Sequence, residues 1–305
     1  MIKADNVTKT FNNFKALDDI SCCIPKGCIY GMVGSNGAGK STFLRLVTGV
    51  YKPNSGCILV DDKPVWENPT VKENISYIPD DLYFLPGANM KRMSKMYASL
   101  YNKFDMKRFN YLTESFGLNP DKSINTFSKG MKRQAAIILA LSCRTEYMFF
   151  DETFDGLDPV MRNLIKKLIC EDVIERKATA IITSHSLREL EDTCDQLALL
   201  HKGGLVLESD VANLKTTLYK IQIAFNEPYD KDIFTGIEML HYSRHGSVTN
   251  MIIRGDKQPT IARLKSMNPI LLDVLPLSLE EVFTYEMEAL GYNFENVVEG
   301  GDSNE

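Results

Sequence analysis

No apolar run in this sequence approaches the ~18 residues that a membrane-spanning helix needs. The first residues, Met1-Ile2-Lys3-Ala4-Asp5, contain no apolar region of the signal-peptide kind. Cysteines stand at 22, 23, 28, 57, 143, 170 and 194, and none forms a C-x-x-C pair. Zinc ligation and a disulfide framework are therefore set aside in favour of reduced, cytosolic core thiols. Basic blocks are missing too, and the net charge is −5, which excludes nucleic acid as the main partner. There is no internal repeat, no long coiled-coil insertion and no guanine-reading N-K-x-D. What remains is an ordinary globular composition, 44% hydrophobic and 25% charged over 305 residues. That length suits one large domain and a smaller one. The expectation is a soluble chain whose membrane role, if it has one, comes through a partner.

One stretch organises the rest. Gly34-Ser35-Asn36-Gly37-Ala38-Gly39-Lys40-Ser41 fits G-x-x-x-x-G-K-[ST]. It follows the apolar run Cys28 to Val33 and precedes Phe43, Leu44, Leu46 and Val47 at helical spacing. A phosphate-binding loop needs this strand–loop–helix context. Its glycines let backbone N–H groups turn toward phosphate oxygens, and the helix N-terminus adds partial positive charge. The spacing predicts that Lys40 reaches the β- and γ-phosphates of ATP and that the Ser41 hydroxyl ligates Mg²⁺; Thr42 completes the contact set.

Further along, strands are expected at Ile2–Val7, Leu17–Ile24, Cys57–Val60 and Ile75–Ile78, and helix across much of 82–120. There Met90, Met93, Met96, Tyr97 and Leu100 form a stripe read as core. A helix over Gln134–Leu141 precedes the apolar strand Tyr147–Phe150, which ends on Asp151-Glu152. Acids at the end of a buried strand, in a chain with a phosphate loop, point to Asp151 as a Mg²⁺ ligand and Glu152 as the group that polarises attacking water. Ala178–Thr183 reads as another buried strand, ending near His185. If these strands share one parallel sheet, His185 lies at the γ-phosphate edge. Helix is expected over Glu189–Asp195. From about Thr216 the pattern resets into strands at 219–225, 248–253 and 271–274, a helix at 260–267 and a last helix at Leu279–Leu290. The acidic stretch 292–305 reads as disordered.

In this order, the motifs resemble the ATP-binding subunit of an ABC (ATP-binding cassette) transporter over roughly residues 2–210. The resemblance implies an α/β fold with a P-loop core: a mostly parallel sheet, antiparallel N-terminal strands and a helical subdomain at about 82–145. Residues 1–213 would form the ATP-binding domain, and 214–305 a small α+β domain. It also implies that Phe11 stacks on adenine, where the residues alone favour a plug at the core edge. Ser128 and Gly130 fall in the signature loop that meets the opposite subunit's γ-phosphate, and Asp158 belongs to the Gly156-Leu157-Asp158 stretch after the paired acids. Glu152, His185 and Lys40 would be catalytic.

Three departures stand out. Phe127, Lys129 and Met131 replace Leu, Gly and Gln of the family's L-S-G-G-Q, and Thr153 replaces a proline. Asp80 replaces a Gln, and is expected to add a third ligand to the metal site beside Ser41 and Asp151, and with it a negative charge beside the phosphates. The segment Pro276–Phe283 is similar to tails of exporter-type cassettes. The implied function is an ATPase driving a separately encoded permease, paired with a second ATP-binding subunit on the inner face of the membrane. A soluble cassette acting on ribosomes or in repair is the alternative.

Overall fold

The computed structural model describes residues 1–213 and 218–289. The chain divides into two compact units, Met1–Glu208 and Ser209–Glu305, a break slightly ahead of the one expected after residue 213. In the first unit, β1 (Ile2–Phe11), β2 (Phe14–Ile24) and β3 (Ile29–Val33) lead into α1 (Lys40–Val47). Then come β4 (Ser55–Val60), β5 (Lys63–Pro64), α2 (Pro69–Lys72) and β6 (Ile75–Ile78). The helical segment follows, with α3 (Met90–Leu100), α4 (Met106–Ser115) and α5 (Lys129–Ser142). The unit closes through β7 (Tyr147–Phe150), α6 (Pro159–Arg176), β8 (Thr179–Ser184), α7 (Leu187–Leu190), β9 (Gln196–His201) and β10 (Gly204–Asp210).

Two sheets result. The first has the order β2-β1-β4-β5 and is antiparallel. The second has the order β10-β9-β3-β8-β7-β6, with β9, β3, β8, β7 and β6 parallel. Every residue of β3, β7 and β8 is buried, as expected of strands covered on both faces. Helix α1 buries Phe43, Leu44, Leu46 and Val47 in one core shared with both sheets. The strands that carry the chemistry therefore end together at one edge, where α1 begins.

Where expectation and structure differ, the causes are local. The helical stretch is broken between α3 and α4 because Asp105 caps a new helix, accepting from Arg108 N at 2.9 Å. Its stripe is only partly core: Met90 and Met93 are buried, but Leu100 is exposed. The expected helix at 189–195 is confined to α7, because Thr193 N and Cys194 N both turn onto the Leu190 carbonyl. Asp195 is then drawn against β3, its carboxylate accepting from Ile29 N at 2.8 Å.

One buried charge ties the helical segment down. Asp172 of α6, with no exposed surface, meets Arg108 of α4 at 2.9 Å, Arg144 after α5 at 2.8 Å and Arg176 at 3.1 Å.

The second unit has strands β11 (Leu218–Ala224), β12 (Met239–His245), β13 (Val248–Arg254) and β14 (Leu271–Leu275), in antiparallel order β12-β13-β11-β14. Helices α8 (Lys257–Ser266) and α9 (Leu279–Ala289) accompany them. Its own core is built on Tyr219, Ile221, Phe234, Met251 and Ile253. The edge strand β12 was not expected, since none of its residues is fully buried and no apolar alternation marks it. Ser278 opens α9 with a capping box: its Oγ accepts from Glu281 N at 3.2 Å and Glu281 Oε2 accepts from Ser278 N at 3.0 Å. The expected end of that helix at Leu290 and the acidic stretch 292–305 lie outside the described residues.

Candidate functional site

The loop from β3 to α1 holds its shape through backbone that only glycine tolerates. Gly39 has φ of 108°, and a Cβ there would lie 2.6 Å from Leu17 Cδ2 and 2.8 Å from the Ala16 carbonyl oxygen. At Gly34 a Cβ would stand 2.5 Å from the Leu200 carbonyl oxygen. The loop thus lies directly against β2 and β9. Its residues Asn36, Gly37, Ala38 and Gly39, with Lys40 and Ser41, floor a cleft of about 270 Å³, also lined by Phe11, Phe14, Thr42, Asp80 and Glu152.

Lys40 is 5% exposed and curls over its own loop, donating to the Gly34 carbonyl at 2.6 Å and the Ser35 carbonyl at 3.3 Å. Its third neighbour is Glu152 Oε1, at 3.0 Å. A buried ammonium at the floor of the cleft, beside a helix N-terminus, is a site for phosphate. Lys40→Ala is expected to weaken ATP binding at least about tenfold, the scale of one well-placed charge on the β- and γ-phosphates. Isothermal titration with Mg-ATP checks this; unchanged affinity would take phosphate binding away from this loop.

Asp151, fully buried at the end of β7, accepts three hydroxyls. Ser41 Oγ lies at 3.0 Å and Thr183 Oγ1 at 2.8 Å from its Oδ1, and Tyr77 OH at 3.2 Å from Oδ2. Burial, and then the Asp151 charge, push the Tyr77 phenol above its usual range, so it remains a donor. One carboxylate beside one hydroxyl offers hard oxygen donors of the kind Mg²⁺ takes, with phosphates and water completing the shell. Among the described residues no three His, Cys, Asp or Glu side chains converge as a metal cage. Asp80, expected as a third ligand, is engaged elsewhere: its Oδ1 accepts from Arg133 Nη2 at 3.0 Å.

Glu152 turns sharply, with φ of 45°, an uncommon left-handed backbone for this residue. Its amide donates to Thr183 Oγ1 at 2.9 Å. That turn swings the carboxylate over the cleft, with Oε1 on Lys40 and Oε2 at 3.0 Å from His185 Nδ1. His185, beyond β8, is thus brought to Glu152 as its strand position predicts. Phe11 is 39% exposed, edge-on to Tyr51 at 5.4 Å, with Lys9 Nζ 5.2 Å above its ring. It lines the mouth of the cleft and does not plug the core. Phe14, register partner of Phe11 across the hairpin turn, shares that mouth at 63% exposure. Sequence reasoning missed it, although the repeat Phe-Asn-Asn-Phe was the signal.

The remaining candidates lie away from the phosphate floor. Ser128 caps α5, its Oγ accepting from Met131 N at 3.2 Å, and Asp158 caps α6, accepting from Met161 N at 3.0 Å. A Cβ on Gly130 would sit 3.4 Å from the Gly156 carbonyl oxygen. The neighbouring Lys129 pairs with Asp155 at 3.2 Å. This hydrogen bond, against a smaller opposing effect of burial, holds the Asp155 carboxyl below its usual range.

Comparison with known proteins adds four findings. The ABC transporter family model matches residues 17–155. The chain is 32% identical over 284 residues to the ABC transporter ATP-binding protein YtrB of Bacillus subtilis, spanning 93% of this chain and 97% of that protein. It is 31% identical over 221 residues to the bacitracin transport ATP-binding protein BcrA of Bacillus licheniformis, covering 70% and 71% of the two chains. In fold it resembles the dimeric post-hydrolysis structure of the ATP-binding cassette MJ0796 bound to ADP and Pi. There the TM-score is 0.64 at 20% identity, over 69% of this chain and 99% of that one.

Proposed function

Because this chain belongs to the ATP-binding subunits of ABC transporters, we propose that it hydrolyses ATP to drive a separately encoded membrane permease, an exporter, by closing as a dimer over nucleotide. The observation that carries this reading is the bridge from Lys40 through Glu152 to His185, at 3.0 Å on each side. An incoming γ-phosphate competes with Glu152 for Lys40. Its arrival frees the Glu152 carboxylate, still held by His185, to accept a proton from water aligned for attack. Phe11 and Phe14 offer faces for the base. Mg²⁺ at Ser41 and Asp151 would neutralise phosphate charge. Ser128 and Gly130, which do not line the cleft, are the groups that would meet nucleotide on a partner copy.

A separate permease is supported by the absence, among the described residues, of any helix long and apolar enough to cross a membrane. The relative named for bacitracin transport and the exporter-like stretch Pro276–Phe283 favour export. The loop after Asp80 presents Tyr83, 77% exposed, and Leu85, 37% exposed, whereas Phe84 at 9% belongs to the interior. An exposed aromatic beside the cleft wall is a handle for the permease. Co-expression with the cognate permease is expected to move the chain to the membrane fraction, and Tyr83→Ala to lower that fraction severalfold. A chain that stays in the soluble fraction, or that sediments with ribosomes, would replace transport by a soluble switch. A change at Phe84 would act on folding and is no test of docking.

A further inference from the structure

We propose that Arg133 is a positioning residue for ATP hydrolysis. Through an ion pair with Asp80 it lets helix α5 set the wall of the nucleotide cleft, and Asp80 serves that pair instead of a metal ion. The inference rests on the ATPase reading above.

Arg133 is 1% exposed, the largest of the fully buried side chains among the described residues. Its guanidinium is given over to the Asp80 loop. Nη1 donates to the Asp80 carbonyl at 3.0 Å and to the Pro79 carbonyl at 3.5 Å, and Nη2 donates to Asp80 Oδ1 at 3.0 Å. Its buried Nε has no hydrogen-bond partner. A guanidinium so enclosed requires a counter-charge, since a neutral partner leaves it uncompensated in a medium of low dielectric. Asp80 supplies that charge while also lining the cleft. A glutamine in its place would offer the fork one neutral oxygen. Asp80 and Arg133 are thus a matched pair, and the departure at position 80 is explained from inside the chain.

The pair is placed to act on the reaction. Ile78 at the end of β6 lies in register with Phe150 at the end of β7, and Asp151 N donates to the Ile78 carbonyl at 2.9 Å. The Asp80 loop and the Asp151-Glu152 turn therefore leave the sheet side by side. A displacement of one moves the other, and a small misplacement of the group that aligns water carries a large penalty in rate. Lys129, four residues before Arg133 on the same helix face, reaches the other loop at Asp155. Both members of that second pair are exposed, at 73% and 49%, so solvent screens it and it contributes little, whereas in the first pair only Asp80 meets solvent, at 52%, and Arg133 is enclosed. Arg133 is the limb that matters.

The test compares the full-length wild type with Asp80→Asn, Arg133→Gln, Arg133→Lys and the double variant Asp80→Asn/Arg133→Gln. Asp80→Asn keeps shape and the backbone bond while removing the charge. It is expected to lower kcat at saturating Mg-ATP at least about tenfold, with KM for ATP and the Mg²⁺ half-saturation point unchanged. Arg133→Gln is expected to lose as much, and Arg133→Lys, which keeps charge without the fork, to fall between it and wild type. The double variant should lose no more than the worse single change, as residues acting as one unit do. A wild-type kcat in Asp80→Asn, losses that multiply in the double variant, or a displaced Mg²⁺ curve would each overturn the proposal, the last by returning Asp80 to the metal. Losses that disappear well below each variant's melting temperature would leave Arg133 a structural role only and overturn it equally. A wild-type chain that neither binds nor hydrolyses ATP would instead remove the ATPase reading, before any variant is compared.

Discussion

Replacing Glu152 by glutamine is expected to lower ATP hydrolysis by about 10²-fold or more, the range of a general base, while ATP affinity holds or rises. Two contacts separate these effects. Glu152 Oε2 faces His185, and this carboxylate is the group placed to take the proton of attacking water; an amide cannot do so. Glu152 Oε1 faces Lys40, which phosphate must claim, so removing its charge removes a competitor for nucleotide. The loss should fall on kcat and leave KM near wild type or lower, as expected for an interaction made chiefly in the transition state. Steady-state phosphate release, together with size-exclusion chromatography in ATP, reads both predictions: the variant should also accumulate an ATP-bound dimer. Hydrolysis at near wild-type rate would move the base role to another residue.

The parts of this site that could be read from sequence are those written in contiguous residues. Strand β3, its loop and α1 form one local pattern, and β7 with Asp151-Glu152 forms another. Their apolar runs are short and fully buried, so strand and turn signals agree. Placing His185 next to Glu152 needed only the added assumption of a shared parallel sheet, which the pairing of β3, β8 and β7 supplies. Partners chosen across the fold were not legible. Thr183 and Tyr77 on Asp151, and Arg133 on Asp80, come from other strands and another helix, with no spacing rule to link them. The left-handed turn at Glu152 was hidden for a different reason: no glycine or asparagine marks it, and tertiary hydrogen bonds hold the residue there against its preference. Asp80 shows the consequence. Read with only its cleft neighbours in view, it is surplus negative charge; with Arg133 beside it, the charge is balanced.

Asp172→Asn is expected to be among the most destabilising single changes available in the first unit, although it lies outside the cleft. Three guanidinium groups converge on a carboxylate that has no exposed surface, and they come from α4, from the chain after α5 and from α6 itself. An amide leaves three positive charges facing one another with nothing to balance them. Removing one partner of a buried pair costs about 3–5 kcal/mol. The arginines keep 16–28% of their side-chain surface exposed, so water recovers part of this and the lower end, about 3 kcal/mol, is expected. For a unit of this size that corresponds to roughly 6–12 °C in its melting temperature. Buried Nε atoms of Arg108 and Arg176 already lack hydrogen-bond partners, so the cluster has no spare acceptors with which to rearrange. Below its new melting temperature the variant should still bind ATP normally, because the phosphate loop belongs to the sheet core and not to the helical segment. Calorimetric scans with and without Mg-ATP check both points. An unchanged first transition would show that solvent and backbone carbonyls satisfy the three arginines by themselves, with Asp172 contributing nothing measurable.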